Sequence, residues 1–274
     1  MPDQPLISII MPAYNVASYI GEAISSVIKQ EYQNWELFVI NNNSTDATAE
    51  EIQKFNDPRV KSLSEKKQGV GHARNKGLKY ISGDFLCFLD ADDVWPNQSL
   101  SFRLEIFKKH PEVQFVDGKI EFIDEKSKTT RHFYLPSFKG KPFTKLLQLD
   151  SCCLFNASWM IKIEKNIKYQ FETDMTHAED VFFFLSISKD RFYGYTDQTI
   201  LHYRQRSDSA MSNLKGLENG YILLIKKIKQ RFSVSLWNMV YLKAKAAKIM
   251  FLSHLFDGNS FTNAIKSIFN ILNA

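Results

Sequence analysis

The first 90 residues alternate between short apolar runs and segments with helical periodicity, which leaves few folds open. Residues 6–11 are an Ile-rich run closed by Pro12, and residues 35–40, 59–63 and 84–89 are further β-type runs. Between them, Ile20, Ile24, Val27 and Ile28 share one helical stripe with Ser18 placed to cap it. Residues 47–55 and 70–81 also read as helices. Strands alternating with helices predict an α/β fold with a mostly parallel, Rossmann-like sheet flanked by helices. Ligands of such sheets bind beyond the carboxyl ends of the strands. Those ends carry Ala13-Tyr14-Asn15, the polar loop 41–46 and Asp90-Ala91-Asp92-Asp93, which the fold would gather at one crevice.

The acidic stretch carries the most chemistry. A buried strand delivers three carboxylates to its exposed end. At neutral pH they repel one another unless a cation sits between them. A hard divalent ion such as Mg²⁺ or Mn²⁺ fits, and commonly brings a phosphorylated substrate. Taken alone, the stretch reads equally as an acidic turn capping the next helix.

At 274 residues and 44% apolar, the chain is long enough for one large α/β domain or a domain with an appendage. A net charge of +5 permits anionic partners without demanding them. Cys87, Cys152 and Cys153 form no CxxC, so a structural zinc site is not expected, and an odd count suits a reducing compartment. Residues 1–5 are short and polar, unlike a secretory leader. No apolar run approaches the roughly 20 residues that span a bilayer. A cytoplasmic protein is expected.

Beyond residue 112 the alternation weakens. Residues 113–122 read as a strand, 126–141 as a charged loop, and 149–160 as apolar and ambiguous. Glu179-Asp180 opens an apolar helix, and His202-Tyr203-Arg204-Gln205-Arg206 follows a short β-type run. Leu217, Tyr221, Leu224, Ile225, Ile228 and Phe232 share a helical face, with Lys226, Lys227, Lys229 and Arg231 around the remainder. Residues 237–256 repeat this mixture with Lys243, Lys245 and Lys248. These basic helices either meet an anionic membrane face or pack on the preceding domain. Gly69-Val70-Gly71 lacks the third glycine of a dinucleotide fingerprint, because Arg74 stands there.

In order, Ser8-Ile9-Ile10-Met11-Pro12-Ala13-Tyr14-Asn15, Ser44-Thr45-Asp46, Ala73-Arg74-Asn75-Lys76-Gly77, Phe88-Leu89-Asp90-Ala91-Asp92-Asp93, Glu179-Asp180 and Tyr203-Arg204 resemble the motifs of family 2 glycosyltransferases. The resemblance implies a GT-A nucleotide-sugar-binding domain over residues 1–212. Its nucleotide half would cover about 1–110 and its acceptor half about 111–212, with a basic helical extension at 213–274. It implies inverting transfer of a sugar, UDP-linked by expectation, to a hydroxyl of a growing surface glycan. Mn²⁺ or Mg²⁺ would serve as cofactor. The acceptor would be a lipid-linked saccharide at the inner face of the cytoplasmic membrane, and no nucleic-acid partner is expected. A non-catalytic scaffold of the same pathway is the alternative. A nucleotidyltransferase is disfavoured, because Pro12-Ala13-Tyr14-Asn15 is not a Gly-rich basic loop.

Residue roles follow from the same resemblance. Pro12 and Tyr14 lie at the nucleotide, with Tyr14 stacking on the base. Asn42 stands where the family usually has a second aspartate that reads uracil. Asp90 contacts the nucleoside, and Asp92 binds the metal. Asp93 either shares that work or caps a helix. Arg74 lies near the nucleotide or the acidic motif. Asp180 is the expected catalytic base, with Glu179 positioning the acceptor or the helix. Arg204 and Arg206 would close over the diphosphate, and His202 is a weak metal candidate.

Overall fold

The computed structural model describes residues 3–206, 213–256, 258 and 260–274. An eight-stranded sheet forms its centre. The four expected runs are β1 (Ile7–Ala13), β2 (Trp35–Asn41), β3 (Val60–Ser64) and β4 (Phe85–Phe88). They pair in parallel in the order β3-β2-β1-β4. The sheet then changes direction: β7 (Met160–Lys162) runs antiparallel to both β4 and β5 (Val113–Ile123). β6 (Thr129–Tyr134) continues that edge of β5, and β8 (Phe192–Arg204) runs parallel along the other.

β1, β2 and β4 are buried on both faces and largely apolar, as strands of a sheet covered on both sides require, whereas the edge strand β3 is mostly exposed. Ile7, Ile9, Met11, Trp35, Leu37, Val39, Phe85 and Cys87 share a core with residues of α1 (Ile20–Ile28) and α4 (Ser99–Lys109). Ile52 of α2 (Thr48–Gln53) joins that layer. Ile10, Phe38, Ile40, Leu86 and Phe88 face the opposite way, into a core with α3 (Val70–Leu78), α5 (Phe143–Leu147) and α6 (Glu179–Ser188).

The last three helices are α7 (Leu214–Arg231), α8 (Leu236–Phe256) and α9 (Phe261–Leu272). Leu224, Ile228, Leu242, Met250 and Ile271 lie in one core with Phe182, Phe183 and Phe184. The extension therefore packs on the preceding chain; the division expected after residue 212 falls outside the described residues.

The segment Ala73-Arg74-Asn75-Lys76-Gly77 seats α3. Gly77 lies flat on β1, where an added Cβ would come within 2.8 Å of Ile10 Cγ2. Asn75 clasps the backbone of Phe171, donating to its carbonyl and accepting from its N–H, both at 2.8 Å. Arg74 is thereby held toward the carboxyl ends of the strands.

Some local expectations change. Ser18 does not cap α1: the helix starts after Tyr19 without a side-chain cap, and Ile20 N donates to Val16 O at 3.0 Å. The charged stretch 126–141 is not all loop. Asp124 Oδ1 accepts from Lys126 N and Lys128 N at 2.8 and 2.9 Å, and this turn sends the chain back as β6. The run before His202 is a strand of 13 residues.

Gly77→Ala separates packing from propensity. Alanine in a helix is favoured over glycine by about 1 kcal/mol, whereas overpacking against Ile10 costs about 1–3 kcal/mol. Thermal melts are expected to show a lower Tm for the variant; a raised Tm would mean that the contact with β1 is not tight.

Candidate active site

A cavity of about 820 Å³ opens at the carboxyl ends of β1, β2 and β4 and reaches the N-terminus of α6. The parallel strand order reverses outward from β1 there, the place where open α/β sheets bind ligands. Pro12, Tyr14, Asn42, Arg74, Asp90, Asp92, Glu179, Asp180, Arg204 and Arg206 all line it.

The loops after β1 and β2 are clipped together by short polar side chains. Asn15 Oδ1 accepts from Thr45 N at 2.8 Å, and Asp46 Oδ2 accepts from Ala17 N at 3.0 Å. Thr48 Oγ1 accepts from Val16 N at 2.9 Å. Asn15 and Asn43 take left-handed backbone, with φ of 50° and 60°, a conformation asparagine tolerates. Ser44-Thr45-Asp46 therefore braces the rim, leaving Tyr14 46% exposed with its ring open to the cavity.

Asn42 is buried below Tyr14. Its Nδ2 donates to Glu65 O at 3.0 Å and Lys67 O at 2.7 Å, while Oδ1 accepts from Gly69 N at 2.8 Å. These partners fix the amide orientation. An ionised aspartate has no proton for the two carbonyls. Asparagine thus holds the loop that brings Gln68, Gly69 and Val70 to the cavity.

Arg74 joins the two acidic sides of the site. It is 3% exposed, and donates to Asp90 Oδ1 and to Glu179 Oε1, both at 3.0 Å. Burial opposes its charge, but Asp90, Glu179 and Asp180 outweigh that and raise its pKa. Burial, then the charge of Asp180, push Glu179 up to about 7 against the pull of Arg74. Burial also raises Asp180, again against Arg74; Asp180 Oδ1 accepts from Val181 N at 2.7 Å.

The three aspartates after β4 have separate partners. Asp92 Oδ2 accepts from Arg206 Nη1 at 3.0 Å; burial and then the Asp90 charge raise its pKa. Asp93 is buried and Oδ1 accepts from Arg204 N at 2.8 Å, so it ties the acidic loop to β8. Asp90 and Asp92 offer only oxygen donors, which suits a hard divalent cation, and a cation there would relieve the repulsion that raises Asp92. Among the described residues, no group of three or more His, Cys, Asp or Glu forms a closed metal site.

Arg204 is held by a set of partners inside the chain. Its guanidinium donates to Asp92 O at 2.7 Å, Asp124 O at 3.2 Å, Ser127 Oγ at 2.9 Å and Glu22 Oε2 at 2.6 Å. It knots the acidic loop, the β5–β6 turn and α1 together at the edge of the cavity. His202 faces Glu121, 3.6 Å away, and does not line the cavity.

Asn156 and His177 are polar residues of the cavity for which the sequence suggests no role. Asn156 Oδ1 is buried without a hydrogen-bond partner among the described residues. His177 precedes Ala178, whose φ of 57° turns the chain into α6. No local pattern marks either residue; Asn156 lies in the apolar stretch with no periodic signal.

The model for glycosyl transferase family 2 matches residues 8–168. The chain belongs to this family. It is accordingly an inverting transferase that draws on a nucleotide sugar. The Escherichia coli UDP-Glc:alpha-D-GlcNAc-diphosphoundecaprenol beta-1,3-glucosyltransferase WfgD is 37% identical over 192 residues, covering 69% of this chain and 72% of WfgD. The putative teichuronic acid biosynthesis glycosyltransferase TuaG of Bacillus subtilis is 26% identical over 250 residues, covering 89% and 97%. The S. aureus TarS 1–349 structure in complex with UDP-GlcNAc superposes with a TM-score of 0.72 at 18% identity, covering 97% of this chain and 80% of that one. That likeness establishes the GT-A fold.

Two outcomes test this geometry. Asn42→Asp removes two donors facing carbonyls, at a cost of about 1–3 kcal/mol; a melt should show a lower Tm and calorimetry weaker UDP binding. An unchanged Tm would reject the brace. As pH falls through about 7, Glu179 gains a proton and its charged bond to Arg74 is lost. Transfer is expected to decline over that range, with the inflection absent in Glu179→Gln. The same inflection in the variant would assign it to another group.

Proposed function

We propose that this transferase takes its sugar from a UDP-sugar and passes it to a hydroxyl of a lipid-linked saccharide during synthesis of a surface polysaccharide. One observation carries the reading: residues from separate segments, with the acidic motif on one side and Asp180 on the other, line one cavity. The UDP and undecaprenyl diphosphate in WfgD's name, and the UDP-GlcNAc bound by TarS, support the donor and acceptor classes.

Each residue has a task in this scheme. Tyr14 stacks on the base, and the remaining lone pair of Asn42 Oδ1 accepts its N–H. Pro12 shapes the floor beside them. Asp90, held by Arg74, receives the ribose. Asp92 would hold Mn²⁺ or Mg²⁺, which when bound neutralises charge on the diphosphate. Arg206, drawn in by Asp92, faces the same phosphates. Asp180 accepts the proton of the acceptor hydroxyl as that oxygen bonds to the anomeric carbon. The bond from that carbon to the diphosphate oxygen breaks on the opposite face, and UDP leaves with the electron pair. A positioned base contributes about 10²–10⁴-fold. Glu179, bridged to Arg74, keeps Asp180 and the donor side in register.

Residues 1–212 carry this chemistry in our reading. The lipid-linked acceptor places the enzyme at the inner face of the cytoplasmic membrane as a peripheral protein. Asn42 has a structural task, and Asp90, Asp92 and Asp180 are all present, which counts against a non-catalytic scaffold.

Donor hydrolysis and UDP binding across UDP-, GDP-, dTDP- and CMP-sugars test the proposal. UDP release from one donor should require divalent metal and be lost in Asp92→Ala. Asp180→Asn should bind UDP like the parent while transfer falls by about 10²-fold or more. Retained transfer in that variant would remove Asp180 as base.

A further inference from the structure

We infer that the exposed apolar faces of α8 and α9 are the surface by which this protein docks on a bilayer containing anionic lipid. The inference depends on the lipid-linked acceptor for its purpose, but not for its geometry.

Three lysines of the extension, Lys227, Lys229 and Lys243, are engaged within the chain. Lys227 pairs with Glu172 and Asp174 at 2.8 and 2.9 Å. Lys229 donates to Ala274 O at 2.9 Å and Lys243 to Leu272 O at 2.8 Å. They fasten the extension together, so the basic face of α7 is not the docking surface.

The neighbouring helices are different. α9 packs through Ala264, Ser267 and Ile271 and carries a second apolar stripe, Phe261, Ile265, Phe269 and Leu272, turned to solvent. α8 is buried through Leu242, Ala246 and Met250, yet it also exposes Leu236, Trp237, Val240 and Tyr241. Exposure across this surface reaches 81% at Trp237 and 62% at Phe269. α8 and α9 lie side by side: the rings of Phe251 and Phe261 are 6.4 Å apart at one end, and Lys243 donates to Leu272 O at 2.8 Å toward the other. Large apolar side chains exposed together on paired helices mark a place where something binds.

Charge selects the occupant. Residues 213–274 carry nine Lys and Arg against two Asp and Glu, whereas residues 1–212 carry 26 against 28. The whole positive balance of the chain is in the extension. Lys245, Lys248 and Lys266 border the apolar stripes and make no ion pair among the described residues. A second copy would meet this positive rim with its own. Anionic headgroups complement it while acyl chains receive the rings, the arrangement of interfacial helices. No described helix is long and apolar enough to cross a membrane, so the pair would lie on the surface.

Trp237 supplies the readout, because Trp35, Trp95 and Trp159 are buried. With phosphatidylglycerol-containing vesicles, tryptophan emission of the full chain should shift to the blue and the protein should float. With phosphatidylcholine alone, both responses should be weak. Trp237→Ser/Phe261→Ser/Phe269→Ser should reduce flotation by about tenfold or more while retaining Tm and UDP binding. Lys245→Glu/Lys248→Glu/Lys266→Glu should remove the preference for anionic vesicles. Unshifted emission, or equal flotation of the apolar triple variant, would overturn the inference. So would a dimer, seen by sedimentation, that this variant dissociates. Flotation without UDP binding would instead count against the donor reading and leave the docking surface standing.

Discussion

The active site depends on one buried guanidinium. Arg74 bridges Asp90 on the donor side and Glu179 on the side of the expected base, from α3 to the start of α6. A buried ion pair contributes little net stability, because desolvation offsets attraction; removing one partner is what costs. Arg74 therefore serves geometry more than stability. Its planar fork spans two carboxylates at fixed angles, which an ammonium cannot reproduce. The phenyl rings of Phe171 and Phe88 lie 5.1 and 5.7 Å from its centre and limit water around it. Everything that seats α3, including Gly77 on Ile10 and Asn75 on Phe171, acts on the geometry of the cavity through this residue.

The polar braces around the cavity follow the same logic. Arg204, Asp93 and Asp124 hold the acidic loop from below, so that Asp90 and Asp92 can face the cavity beside each other. Asn42 holds the loop 65–69 from the other side. Repulsion among the carboxylates is thus contained by fixed donors before any ligand arrives, which lowers reorganisation when charge develops.

Much of this was legible along the chain. The parallel half of the sheet was readable because strands buried on both faces leave unbroken apolar runs. Pro12, Tyr14, Asn42, Asp90 and Asp92 were readable because they stand at or just after the ends of those runs. The antiparallel half was harder. β6 is mostly exposed, so its sequence is charged and resembles a loop. β7 has three residues, too few for any periodicity. Ser18 has a capping side chain, but the cap position fell to Tyr19 and the backbone of Val16 took the amide.

By itself the sequence determined the α/β class, the family and the set of residues that meet at the site, because each is written in local pattern and order. Only the tertiary structure decided what those residues hold. Arg204 and Arg206 sit two positions apart in the chain. One closes a knot of backbone carbonyls; the other meets Asp92. The extension's lysines and its apolar stripes share the same short segment, yet several lysines turn inward to carboxylates and carbonyls while the rings turn out. Which partner a long side chain finds depends on segments more than a hundred residues away, as with Arg74 and Glu179, and no local pattern encodes that distance.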